Sequence, residues 1–408
     1  MTSPTRAVLE RLYGLAPRGA LLGLDRVRAA CAALGYPERS FASIHIAGTN
    51  GKGSVAAMVD AMARAAGHRV GLYTSPHLVR FAERIQIDGE PVGDDQLLTT
   101  LEEVLDRFPE LTFFETATVC AFSIFATAKI DLGVIEVGLG GRLDATNVLE
   151  RPRATAITRI DFDHTDRLGT DLGSIAREKA GILKRGVRAV LGPLDPVSMA
   201  AVRAHAESVG AHLRLTAEDR ELTSFVEAHP LYLAGRHQRE NAKIAVALAE
   251  EIELSTDAMA RGLRDARWPG RLETLTTRGG QVLLDAAHNP DGARALAAAL
   301  AQTARDPHRV ALVFGAMADK DARSMLEVLA PYANHRIYVA PEGRRATDPA
   351  LLAQYQPGLI ATSTPDALDR ARAAVGPEGC VLVAGSIFLV GAARAHLLGL
   401  ARDPAIAL

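Results

Sequence analysis

Gly48-Thr49-Asn50-Gly51-Lys52-Gly53-Ser54 lies between a short apolar run, residues 43–47, and an apolar-periodic stretch, residues 54–66, that stops at Gly67. A strand running through a glycine-rich turn into a helix is a phosphate-binding arrangement. Glycines let backbone N–H groups turn toward oxygens, the helix N-terminus adds positive potential, and a lysine adds a full charge. The strict phosphate-loop pattern requires Ser or Thr directly after the lysine and a glycine five residues before Gly51. This chain has Gly53 and Ile46 at those places. The segment is a phosphate-loop variant or a plain glycine-rich turn with a chance lysine.

Glu136 ends an apolar run in VIEVGLGGRLDATN, where a carboxylate has no packing role. Such a group can hold Mg²⁺ directly or through water beside a phosphate loop; it can also be an exposed residue before a loop. Gly138, Gly140 and Gly141 free the backbone that follows. Asp163-His164-Thr165-Asp166 comes just after the run at 154–160 and suits a metal or phosphate site at a strand's carboxyl end, although loop histidines are common. Lys179 stands inside a helical pattern, and spacing alone makes it solvated surface. Asp285-Ala286-Ala287-His288-Asn289-Pro290 sits between a strand and a helix. Asp285 there could take ribose hydroxyls, or an Asp or Asn of the segment could cap the helix.

Alternating strand and helix patterns position these groups. Strands are expected at 43–47, 69–73, 132–137, 154–160 and 188–191, and helices at 54–66, 95–108, 116–128, 172–184 and 241–251. The strands are continuous apolar runs, as in a parallel sheet covered on both faces. A polar, glycine-containing stretch around 268–280 breaks the pattern. A second series follows, with strands at 281–284, 309–314, 336–340 and 380–384, and helices including 292–301 and 388–398. The expected fold class is α/β in two open parallel sheets, with domains at 1–275 and 276–408 and a hinge near 270–279. Such sheets bind ligands beyond the carboxyl ends of their strands.

The 408 residues exceed one ordinary core, since domains run to about 150 residues. Hydrophobic residues make up 48% and charged residues 23%, a soluble globular composition. The net charge of -2 argues against gripping nucleic acid or an acidic membrane surface. No segment is long and apolar enough to span a membrane and no signal peptide is visible. The three cysteines lack metal-like spacing, which leaves a reducing cytoplasm as the expected setting. Only six of the 46 basic residues are lysines. Codon bias explains most of that, but each retained lysine invites the question whether an arginine could have served.

Taken together, the segments resemble the folylpolyglutamate synthase/dihydrofolate synthase family, within the Mur-type amide ligases. The resemblance runs from about Leu21 to Arg394. GTNGKGS is similar to the family's own phosphate-loop variant. Tyr73-Thr-Ser-Pro-His-Leu78 and Arg80-Phe-Ala-Glu-Arg-Ile85 resemble its mobile loop after the second strand, and Phe113-Phe-Glu-Thr116 its pteridine-side segment. IEVGLGGRLDATN, DHTDRLG, IAREKAGI, GRHQREN, WPGRLE, DAAHNP and GAMADKD follow in the family's order. Ala286 replaces a usual glycine, and Arg159 stands where a small or amide residue is commoner.

The resemblance implies an N-terminal phosphate-loop domain, a smaller Rossmann-like C-terminal domain and a cleft between them. It implies an ATP-dependent ligase joining L-glutamate to a folate-type carboxylate through an acyl phosphate. Thr49, Asn50, Gly51, Lys52, Gly53 and Ser54 would cradle ATP, with Asn241, Arg271, Asp285 and His288 completing its site. Ser75, Glu136, His164 and Ser54 would hold Mg²⁺, and Lys179 would join them as a carbamate. Lys52, Lys179 and His164 would be catalytic. Phe113, Phe114, Glu115, Thr116, Leu143, Asp144 and Ala145 would line the folate, with Leu24 to Arg26 a weaker candidate. Arginine could not replace Lys179, because its guanidinium stays protonated and non-nucleophilic. The partners would be small molecules only, and the protein a monomer. The competing readings are a cell-wall Mur ligase, a nucleotide switch and a folate-binding module. A switch would hydrolyse nucleotide whether or not glutamate were present, and the guanine-reading Asn-Lys-x-Asp pattern is absent.

Overall fold

The computed structural model describes residues 3–16, 23–277, 279–303, 305–343 and 345–403; Leu21, the start of the family resemblance, falls outside them. The chain forms two compact units. The first comprises Met1–His77, Phe81–Tyr232 and Gln238–Arg267, and the second Leu78–Arg80, Leu233–His237 and Trp268–Leu408.

The first unit is built on eight strands: β1 (Ala42–Ala47), β2 (Val70–Tyr73), β3 (Ile85–Ile87), β4 (Glu90–Pro91), β5 (Leu132–Glu136), β6 (Ala154–Ile157), β7 (Arg188–Leu191) and β8 (His212–Leu215). Their order is β4-β3-β2-β5-β1-β6-β7-β8. The pairs from β2 to β8 are parallel, while β3 and β4 pair antiparallel. All five β5 residues are buried, as are the last five of β1, as a sheet covered on both faces requires. The Lys52–Ala65 helix packs on β1, β2 and β5, and the Thr256–Asp265 helix packs on it in turn.

The second unit has β9 (Glu273–Thr277), β10 (Gly280–Leu284), β11 (Val310–Phe314), β12 (His335–Tyr338), β13 (Leu359–Ile360) and β14 (Cys380–Ala384), ordered β13-β12-β11-β14-β10-β9. Alternate strand residues feed two cores. Leu283, Leu312, Phe314 and Leu382 pack on one face, and Val282, Leu284, Val313, Val381 and Val383 on the other.

Two expectations about the chain's punctuation change. The polar stretch expected to act as a hinge contains β9, which pairs antiparallel with β10 from Glu273↔Leu284 to Thr277↔Gly280. Residues 268–275, counted above with the first domain, therefore pack with the second unit. An edge strand faces solvent along one side, so threonines serve it and no apolar run announces it. No described helix is long and apolar enough to cross a membrane.

Candidate active site

The register of three central strands sets the site. Ile46 of β1 is level with Glu136 of β5, and Ala47 with Ile157 of β6. The loops after β1, β5 and β6 therefore leave the sheet side by side, at its carboxyl edge. In the first of them, Gly51 precedes the Lys52–Ala65 helix with φ 92, a left-handed conformation suited to glycine. A Cβ at Gly51 would lie 2.5 Å from Asn241 Oδ1. No side chain caps this helix and no acidic residue occupies its first turn. Its first N–H groups and their positive potential thus keep the character of an anion site.

Lys52 Nζ donates to the Thr49 carbonyl at 3.1 Å and lies 3.8 Å from Glu136 Oε1. The other Glu136 oxygen accepts from the Ser75 backbone N–H at 3.1 Å. The structure thereby brings together Lys52, Glu136 and Ser75, which lie on the loops of three different strands. Glu136 is buried, so its burial ends the reading as an exposed residue before a loop.

The phosphate loop is held from both sides. Thr158 Oγ1 donates to the Asn50 carbonyl at 2.7 Å, Thr49 Oγ1 donates to the Asp161 carbonyl at 3.0 Å, and Thr49 N–H donates to the Arg159 carbonyl. Arg159 serves the loop through its backbone, so its departure from the usual residue type leaves that contact intact. From the Arg236–Glu251 helix, Gln238 Nε2 donates to Ser54 Oγ at 3.2 Å, while Gln238 Oε1 accepts from Asn241 Nδ2 at 3.0 Å. Sequence reasoning assigned no role to Gln238 or Thr158. Gln238 stands inside the quoted GRHQREN segment, and its near-complete burial is the signal that singles it out.

Lys179 is the largest change from the reading by spacing. It is not on a solvated helix face but 4% exposed, with Nζ donating to the Gly48 carbonyl at 3.0 Å. Burial, followed by the charge of Lys52, lowers its pKa to about 7. Gly141 lets the chain pass close by, since a Cβ there would lie 2.8 Å from the Glu178 carbonyl and 2.9 Å from that of Lys179.

His164 is exposed, has φ 49, and precedes the short Thr165–Leu168 helix, with Nε2 3.9 Å from Asp163 Oδ1. Among the described residues, no group of three His, Cys, Asp or Glu side chains could hold a metal. The donor set around Glu136 fits a different case. One carboxylate beside a serine and a phosphate loop suits Mg²⁺, which keeps waters and takes substrate phosphate oxygens.

The expected folate-lining residues divide by exposure. Phe113, Phe114 and Leu143 are half-buried, while Glu115, Thr116, Asp144 and Ala145 are buried. Glu115 forms a capping box with Thr112 at the start of the Phe113–Ala128 helix. It also accepts from Arg26 at 2.7 Å. Asp144 accepts from the N–H groups of Leu139 at 2.8 Å and Thr146 at 3.0 Å, and from the Thr146 hydroxyl. Burial raises the Asp144 pKa against those bonds. Thr146 Oγ1 in turn bonds the buried His45 at 2.8 Å, and His45 has its pKa lowered to about 3, by burial first and then by Lys184. Glu115 and Asp144 thus brace the start of the Phe113–Ala128 helix and the 139–146 loop.

In the second unit, Asp285 accepts from Leu272 N–H at 3.0 Å and from Ala287 N–H at 2.9 Å. His288 Nδ1 bonds the Ala286 carbonyl at 2.9 Å. These bonds hold the segment carrying Arg271 against the 285–288 loop, so the three expected residues share one corner of that unit.

Comparison with known proteins agrees with this organisation. The Mur ligase middle domain matches residues 46–249, and the Mur ligase glutamate ligase domain matches residues 270–387. The dihydrofolate synthase/folylpolyglutamate synthase of Bacillus subtilis is 34% identical, over 95% of this chain and 97% of its own length. The structure of Escherichia coli FolC in complex with DHPP and ADP superposes with a TM-score of 0.89 at 32% identity, covering 98% of both chains. The Yersinia pestis bifunctional folylpolyglutamate synthase/dihydrofolate synthase complexed with AMPPNP and Mn gives 0.86 at 32% identity, covering 98% and 99%. The chain spans only 48% of a Haloferax volcanii relative, a probable bifunctional folylpolyglutamate synthase/dihydropteroate synthase to which it is 35% identical over 91% of its own length.

Proposed function

The chain belongs to the folylpolyglutamate synthase/dihydrofolate synthase family of Mur ligases, and on that premise we propose that it is an ATP-dependent ligase joining L-glutamate to a folate-type carboxylate. The observation that carries this reading is the Lys52–Glu136 pair, 3.8 Å apart at the head of an uncapped helix.

A carboxylate does not condense with an amine near neutral pH, because hydroxide is a poor leaving group. Phosphorylation solves this. A carboxylate oxygen of the acceptor attacks the γ-phosphorus of ATP, the bond to the β-phosphate oxygen breaks, and ADP leaves. The neutral amine of glutamate then attacks the acyl carbon, phosphate departs, and the amine's proton passes to solvent. Lys52 and the first-turn N–H groups neutralise and orient the phosphates. Asn50, Gly51 and Gly53 supply backbone, while Gln238 and Asn241 fix Ser54 and the loop. Glu136 and Ser75, with Ser54 and His164 at its margin, are the proposed Mg²⁺ residues, and that ion would neutralise phosphate charge. Phe113, Phe114 and Leu143 offer the half-buried apolar wall for the pterin-bearing substrate. Arg271, Asp285 and His288 remain the proposed nucleotide contacts of the second unit.

Lys179 is proposed to carry a carbamate. Its neutral amine would attack carbon dioxide, form the N–C bond and lose a proton, leaving an anionic oxygen ligand for a hard metal. Burial favours the neutral amine this requires. The same reading places the protein in a reducing cytoplasm as a monomer, its three buried cysteines remaining free thiols.

The test is ADP release with ATP, Mg²⁺, L-glutamate and either dihydropteroate or tetrahydrofolate, with products resolved by mass. Release should require every component and yield an acceptor heavier by one glutamyl unit. No release with either acceptor, or release indifferent to glutamate, overturns the reading.

A further inference from the structure

Arg84 is a buried cation with no carboxylate in salt-bridge contact among the described residues; Glu136 and Glu83 act on its charge only from farther away. It closes the 3-10 turn Phe81–Arg84, leads into β3, and is 4% exposed. Its guanidinium lies over the rings of Phe81 and Phe113, 5.6 and 5.3 Å from their centroids. Nε donates to His77 Nδ1 at 2.9 Å. Among the described residues its side chain makes no ion pair, and its two terminal amino groups donate no hydrogen bond.

This arrangement is costly for folding. Removing a charge from water is costly unless it is paired. Two aromatic faces offset only part of that cost. An apolar side chain would fill the same space at lower cost, so packing does not explain the arginine. Its position does suggest a use. Thr74 N–H donates to the Arg84 carbonyl at 3.0 Å, and the next residue, Ser75, donates to Glu136. Arg84 therefore stands at the sheet end that carries Glu136. Phe113, under its guanidinium, begins the Phe113–Ala128 helix, whose positive end faces the same neighbourhood.

We infer that Arg84 binds a carboxylate of the acceptor substrate, whose aromatic portion packs on Phe113; this rests on the ligase reading above. A guanidinium fork grips a carboxylate through two parallel N–H donors, and aromatic walls that exclude water strengthen the grip. It also answers an electrostatic problem of the reaction, which must bring a carboxylate to a triphosphate of the same sign.

The test uses the full chain with Arg84→Met and Arg84→Lys. Arg84→Met should raise the acceptor KM by about 10- to 100-fold, with Arg84→Lys intermediate, because a desolvated charged hydrogen bond is lost. The KM values for ATP and glutamate should stay within about twofold of wild type. Arg84→Met should melt at or above the wild-type temperature, since it removes an unpaired buried charge. Equal loss for dihydropteroate and tetrahydrofolate assigns the reacting carboxylate, and loss for tetrahydrofolate alone assigns the non-reacting carboxylate of its glutamate. An unchanged acceptor KM, or a rise in the glutamate KM instead, overturns the inference. Calorimetric binding of pteroate against its decarboxylated analogue separates this inference from the ligase reading. Wild type should prefer the carboxylate and Arg84→Met should not, whether or not ADP is released.

Discussion

Lys179 Nζ lies 3.0 Å from the carbonyl oxygen of Gly48, the first residue of the phosphate loop. The two residues are remote in sequence, and the bond ties the Leu172–Ala180 helix to the turn that follows β1. It also places a lysine where water does not reach, beside the charge of Lys52. A buried amine with a lowered pKa is both a liability for stability and a competent nucleophile.

That liability has a measurable pH dependence. Burial lowers the Lys179 pKa to about 7 in the folded chain, from an ordinary lysine's 10.5. Between those values the unfolded chain holds a proton that the native chain lacks, so stability rises with pH. Below about 7 both states are protonated and the full cost of burying the charge remains. In carbonate-free buffer, Lys179→Met should therefore raise the melting temperature at pH 6, and the gain should shrink toward pH 10. A gain that is flat with pH contradicts the assignment. Lys179→Arg should be inactive, because a guanidinium cannot form the carbamate; normal turnover in that variant excludes it.

Lys52 and Glu136 meet at 3.8 Å but should fail differently. Lys52→Ala removes the charge that faces the phosphates and should lower kcat by at least about 100-fold. Glu136→Gln keeps an oxygen for the Ser75 N–H and should retain the fold, while shifting the Mg²⁺ concentration needed for half-maximal rate upward. Circular dichroism melts and Mg²⁺ titrations of both variants supply the check. Full activity in either variant removes it from the site.

Asp144, a proposed folate contact, accepts hydrogen bonds from Leu139 and Thr146. Asp144→Ala leaves those buried donors unpaired and should destabilise the first unit by roughly 2–5 kcal/mol. Urea unfolding measures this directly. A variant of wild-type stability that loses only acceptor affinity would contradict this structural role and leave Asp144 as a folate contact alone.

The strands legible in the sequence were the inner ones. β1, β5, β6, β10, β11 and β14 are near-continuous apolar runs because both of their faces are covered. The unrecognised strands, β3, β4, β8, β9 and β13, lie at sheet edges or, for β3, beside one. Edge residues meet solvent, so their composition carries little signal.

The site shows the same division. The family was readable from residue order, as were the glycine-rich turn between β1 and its helix and Glu136 at the end of β5, because turn chemistry depends on neighbours a few positions apart. Folding decided which polar side chains remain available. Glu115 and Asp144, proposed to line the folate, also bond Thr112, Arg26, Leu139 and Thr146, which residue order does not show. Gln238 reaches Ser54 from 184 residues away, and Lys179 reaches Gly48 from 131. Arg84 looked like one arginine among forty and became a buried cation only when Phe81 and Phe113 closed over it. Burial and hydrogen-bond partnership are set by distant segments, and so only the three-dimensional structure decides them.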